Sequence, residues 1–130
     1  MKSIGIYTEN LFALFLTSIV AFLTPISAWL ILVGGLVMAD FVLGVTKAYI
    51  KTEEITSKAM FKTIPKLIVY AIAVMIAHGM SMMFFPDFES VEIISGFIAF
   101  IEIKSIDENI KGITGQSLFK QLIDKFNPKK

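Results

Sequence analysis

At 130 residues the chain is long enough for one domain. With 55% hydrophobic residues and a mean hydropathy of +0.75 it is more apolar than soluble domains, which average about 45–50%. Its basic residues are all lysines and its net charge is +1. The missing arginine fork and the lack of a basic patch interleaved with aromatics argue against nucleic-acid binding. The absence of cysteine excludes disulfides, thiolate metal sites and cysteine nucleophiles, and a single histidine without a Walker-type loop, HExxH or nucleophile elbow leaves no catalytic residue, metal site or cofactor to assign.

The first predicted segment runs over residues 4–23, with Glu9 and Asn10 ahead of an apolar centre at Leu11–Leu23. Those residues cover about 20 Å of a roughly 30 Å hydrocarbon core, so the preceding turn must add length, with Glu9 snorkelling or facing protein. The start is not strongly basic and has no small-residue cleavage site, unlike a signal peptide. Thr24-Pro25-Ile26-Ser27 breaks the run and predicts a tight hairpin turn; a single kinked helix is the alternative, but over Leu11–Ala39 it would be about 43 Å long, too much for one crossing.

The second segment spans residues 28–50, with Trp29 placed as an interfacial anchor. A polar loop, Lys51 to Lys58, leads to the third segment at residues 61–85, where Pro65 suits a helix start. Phe84-Phe85-Pro86-Asp87 closes it. The fourth segment, residues 91–110, begins apolar and ends polar. It is either a short span with a polar face or an interfacial helix. The tail, 114–130, reads as a basic amphipathic helix: Leu118, Phe119, Leu122, Ile123 and Phe126 share one stripe, and Pro128 stops it. Such a helix fits an anionic cytoplasmic leaflet, or equally packs on its own subunit. The expectation is a single all-α integral membrane domain with three to four transmembrane helices and a C-terminal amphipathic helix.

Lysine placement sets sidedness. Lys47, Lys51, Lys58 and Lys62 flank the loop between segments two and three, and Lys111, Lys120, Lys125, Lys129 and Lys130 lie in the tail. The Pro25 turn is uncharged and the loop after Pro86 is acidic. Four crossings with both termini in the cytoplasm satisfy this pattern.

Asp40 is the most informative residue, a carboxylate about 16 Å beyond Trp29 and so near the bilayer midplane. Folding segments two and three about the polar loop makes Lys66 and Tyr70 its candidate partners, and Lys47 lies on roughly the same face of its own helix. Asp40 either glues helices together or lines a channel. Glu102, Ser105 and Asn109 form a polar stripe that needs protein, headgroups or water, and Lys104 and Glu108 can pair at i, i+4. Gly35-x-x-x-Ala39, Gly44-x-x-x-Ala48 and the Ala73, Ala77, Ser81 series are small-residue stripes that permit close helix packing. His78 reads as a packing residue, and Met75, Met80, Met82 and Met83 as soft apolar filler.

Asp40-Phe41-Val42-Leu43-Gly44-Val45-Thr46-Lys47-Ala48 resembles the D-x-x-x-G-x-x-x-A stretch of a bacteriophage holin family that includes holin-like toxin-secretion proteins. Thr56-Ser57-Lys58, then Lys62 and Lys66, resemble that family's following loop. Glu102 to Asn109 is similar to its N-E-x-x-S-I-x-E-N segment, with Ile101 where the family tends to have Asn. The resemblance covers roughly residues 30–112. It implies a protein that accumulates in the bacterial inner membrane as a homo-oligomer and opens lesions, releasing an endolysin or secreted cargo for host lysis. Asp40, Gly44, Lys66, Tyr70, Glu102, Ser105, Glu108 and Asn109 would then serve assembly and pore lining. A small oligomeric ion channel or transporter subunit, and a membrane scaffold recruiting a soluble partner through its basic tail, are the competing readings.

Overall fold

The computed structural model describes residues 2–53 and 57–126, with side chains described for residues 10–53 and 61–126. Among the described residues the chain is all helix. Helix α1 (Lys2–Leu23) meets a 3-10 turn at Thr24–Ile26, followed by α2 (Ser27–Ile50), α3 (Ser57–Met83), α4 (Ser90–Thr114) and α5 (Leu118–Phe126).

Helices α2, α3 and α4 pack on one another as a bundle, α3 antiparallel to the other two. Its logic is a repeating four-then-three spacing. From the 3-10 turn into α2 the inward positions are Ile26, Leu30, Val33, Val37, Asp40, Gly44 and Lys47, and on α4 they are Val91, Ser95, Ile98, Glu102, Ser105, Asn109 and Gly112. A repeat averaging 3.5 residues keeps one stripe of each helix on its neighbour, as in a left-handed coiled coil. Both stripes are mostly apolar in their first half and polar in their second. The apolar half forms the core with Val74 and Ala77 of α3, and Leu23, Trp29 and Ile94 pack against it. Trp29 is thus tied to the core as well as placed near a helix end.

Two helical stretches are long and apolar enough to cross a membrane: Asn10–Ile50, 41 residues, and Phe61–Met83, 23 residues. That is fewer than the three to four expected. Helix α4 falls short on composition because Glu102, Lys104, Asp107 and Glu108 crowd its second half.

The hairpin expected at Pro25 does not form. Leu23 (φ −82°, ψ −24°) and Ser27 (φ −57°, ψ −40°) stay right-handed helical, and α1 does not lie along α2. Pro25 sits at the first turn of the 3-10 segment, where its missing N–H costs nothing, so the helix bends instead of reversing. Among the described side chains of α1, those at its end touch the bundle, through Leu23 and through the Phe22 ring 5.0 Å from that of His78. The sides of α1 expose Leu11, Phe12, Leu14, Phe15 and Val20.

Pro65 lies inside α3, not at its start, because the helix begins at Ser57. The ends of α2 and α4 are each built around one left-handed residue. Thr52 (φ 53°) ends α2: its N–H and that of Glu53 donate to Tyr49 O at 3.3 Å and Ala48 O at 3.0 Å, a Schellman arrangement. Gly115 (φ 78°) ends α4, its N–H donating to Lys111 O at 2.9 Å.

Gly35 and Ala39, the first small-residue stripe of α2, face away from α3 and α4 within this chain. They lie about 200° around the helix from Val33 and Val37, which own the inward stripe. A Cβ at Gly35 would meet nothing within 4 Å. Gly44 and Ala48 are half-buried, and Ala73 and Ala77 pack in the core. Glu54 to Thr56, the Glu9 and Lys58 side chains, and Pro128, Lys129 and Lys130 lie outside the described residues.

Candidate functional site

The polar halves of the three inward stripes meet in one cluster. The Asp40 carboxylate of α2 is its hub. Its Oδ1 accepts from Ser105 Oγ at 2.7 Å and Asn109 Nδ2 at 2.8 Å, and its Oδ2 accepts from Lys66 Nζ at 3.0 Å. Asn109 Nδ2 also reaches the Asp40 carbonyl at 3.3 Å. Lys66 of α3 bridges two acids, because the same Nζ lies 2.6 Å from Glu102 Oε2. Tyr70 Oη donates to Glu102 Oε1 at 2.9 Å. Lys47 Nζ donates to Asn109 Oδ1 at 3.2 Å, at the end of the cluster nearest the α2–α3 loop.

Helical spacing explains the convergence. Asp40, Gly44 and Lys47 follow one another on α2, Lys66 and Tyr70 are one turn apart on α3, and Glu102, Ser105 and Asn109 recur on α4. Gly44 faces the Asn109 amide, whose Nδ2 lies 3.6 Å from where a Cβ would be, an ordinary contact distance. Gly112 is tighter: a Cβ there would stand 2.5 Å from Lys47 Cδ, so its absence leaves room for that side chain.

The cluster is charge-balanced and mostly closed. Asp40 and Glu102 oppose Lys66 and Lys47. The Glu102 side chain is 0% exposed, that of Asp40 16% and that of Lys66 28%. Burying such groups is costly unless each is paired and hydrogen-bonded, and here each carboxylate has a cation and at least one neutral donor. The arrangement can clamp three helices together. No group of three or more His, Asp or Glu able to hold a metal ion occurs among the described residues.

The structure thus brings together Asp40, Gly44, Lys66, Tyr70, Glu102, Ser105 and Asn109. Tyr70 serves Glu102, not Asp40 as the register of α2 and α3 alone suggested. Lys47 turns to Asn109 instead of back toward Asp40. Glu108 is exposed and outside the cluster, with no ion pair to Lys104, because Asn109 holds the inward position beside it. Gly112 and Ser95 escaped the sequence reading. Ser95 is fully buried with an unpartnered Oγ, and the four-then-three spacing that runs through both is the signal that finds them.

A second polar junction ties α5 down. Asp107 accepts from Ser117 Oγ at 2.6 Å with Oδ2, and from the Leu118 N–H at 2.6 Å and the Phe119 N–H at 3.4 Å with Oδ1. A carboxylate on α4 therefore caps the start of α5. His78 packs on Phe22, and its Nε2 is buried without a hydrogen-bond partner.

No curated protein sequence and no solved structure matches the chain. The sequence profile of the Bacteriophage holin family matches residues 17–128, from the end of α1 through the cluster and α5. The chain belongs to the bacteriophage holin family.

Proposed function

We propose that the protein permeabilises the bacterial inner membrane by assembling with copies of itself, so that an endolysin or other cargo can leave the cell. One observation carries the reading: a charge-balanced polar cluster enclosed by three helices whose outer faces are largely apolar, Lys104 and Glu108 of α4 excepted. A single chain can then rest in lipid with its costly groups satisfied internally. Assembly turns those groups toward neighbours or water.

In this reading α2, α3 and α4 cross the membrane. Helix α4 qualifies although its composition is mixed, because Glu102, Ser105 and Asn109 are satisfied by α2 and α3 while Phe97, Phe100 and Ile101 face out. Its 25 residues span about 37 Å, enough for the hydrocarbon core. The lysines near the α2–α3 loop and in the tail then share the cytoplasmic side. A fourth crossing by α1, with both termini in the cytoplasm, requires the chain to fold back at Pro25 during assembly.

Inducible expression in a bacterium carrying a cytoplasmic reporter enzyme tests this. The expected result is abrupt loss of membrane potential with release of the reporter. Graded leakage of ions with the enzyme retained would instead identify a small channel.

A further inference from the structure

We infer that α5 is an anionic-lipid-binding helix held at a fixed angle on the membrane surface, with Lys111 and Lys120 gripping a lipid headgroup. This rests on the reading that α2–α4 cross the bilayer.

The apolar face of α5 is nearly bare. Phe126 is 84% exposed and Ile123 62%. The helix is not a loose tail. Gly115 reverses the chain through its left-handed conformation, and Asp107 takes the first N–H groups of α5. Ser117 Oγ adds a bond from the Lys120 N–H at 3.2 Å. With that geometry Leu118, Phe119 and Leu122 line a shallow apolar recess together with Ile103 and Ile106 of α4. Ile103 lies beside Phe100 on the outer side of α4, which faces lipid in the proposed arrangement, while the exposed Lys104 follows Phe97 and Phe100 along that side. The apolar side of α5 therefore adjoins the lipid-facing side of α4 at Ile103.

The opposite side is polar. Lys111, Lys120, Gln116, Ser117, Gln121 and Asp124 line a cleft of about 380 Å³ between the end of α4 and α5. Two ammonium groups against one carboxylate leave it net positive. An apolar face adjoining the lipid-facing side of α4, backed by a cationic cleft at the level of the headgroups, fits an anionic phospholipid.

The absence of cysteine makes the test direct. A fluorophore on Phe126→Cys, in full-length protein reconstituted into vesicles, reports the surroundings of α5. A second single-cysteine protein, Ile76→Cys on the exposed side of α3, reports the span. In phosphatidylcholine vesicles containing phosphatidylglycerol, the Phe126→Cys label should be blue-shifted and quenched by shallow lipid nitroxides. Lys111→Gln and Lys120→Gln should each lower the ratio of inserted to exposed label about fivefold. Both effects should fade in pure phosphatidylcholine.

A water-exposed label in every vesicle overturns the inference. So does a blue-shifted label that lipid nitroxides fail to quench, because α5 then packs on protein. If the Ile76→Cys label is itself inaccessible to lipid nitroxides, the membrane reading fails. If only the Phe126→Cys label is, that reading stands and α5 is excluded from the surface.

Discussion

Lys66 is the residue on which the cluster balances, because one ammonium serves two carboxylates. Removing it should do more harm than removing all the charges together. Lys66→Met leaves Asp40 and Glu102 facing each other unpaired, at a cost of about 3–5 kcal/mol. The triple variant with Asp40→Asn and Glu102→Gln removes the conflict and should regain most of that loss, as read by resistance to denaturation in detergent. Equal loss in both would mean that the ion contacts do not hold the bundle. Asp40→Asn alone keeps a side chain that can meet Ser105, so the protein should still insert while the timing of lysis shifts or lysis is lost. Unchanged lysis kinetics would remove Asp40 from the mechanism. Ser95 gives the opposite case: its buried hydroxyl has no partner, so Ser95→Ala should raise stability by about 1 kcal/mol. The meeting of Asp40 with Lys66 was legible in the sequence, because folding two helices about a polar loop fixes their register by counting. The partners from α4 were not. A polar stripe on a third helix carries no sign of which neighbour it faces until parallel packing on α2 sets it opposite Asp40.

The helix joints carry the information at the scale of elements, and two of them were hard to read for opposite reasons. Proline after a long apolar run signals a break, but its fixed φ suits the first turn of a helix as well as a reversal, so local chemistry at Pro25 allowed both outcomes. The end of α2 at Ile50 was marked by the polar loop that follows, but its left-handed cap gave no cue, since a β-branched residue is disfavoured at positive φ and yet Thr52 occupies that position. Thr52→Gly should therefore stabilise the α2 terminus by about 1 kcal/mol, seen as slower hydrogen exchange at the Glu53 amide. Faster exchange would show that the threonine side chain makes a compensating contact. The joint between α4 and α5 depends on one side chain. Asp107→Ala should remove about 1 kcal/mol of capping and speed exchange of the Leu118 and Phe119 amides about fivefold. Unaltered exchange there would mean that apolar contact with Ile106 alone positions α5.

Across the whole molecule, the inward stripes are apolar toward the Pro25 end and polar toward the lysine-rich end, which gives the bundle a direction. In the proposed arrangement, lysine placement orients that direction with positive charge inside. The loop joining α3 to α4, carrying Asp87 and Glu89, would then lie outside, and Gly115 and Gln116 would lie in the cytoplasm. The same orientation puts Lys47 and Asn109 near the inner surface, where the cluster can open to water without a passage through the apolar half. Because the protein has no cysteine, single substitutions read sidedness without background. Asp87→Cys should react with a membrane-impermeant maleimide added to intact spheroplasts, and Gln116→Cys only after the cells are opened. If Gln116→Cys reacts from outside, α4 does not cross. The polar second half of α4 would then lie at the outer surface, and the cluster could not be a seal within the bilayer.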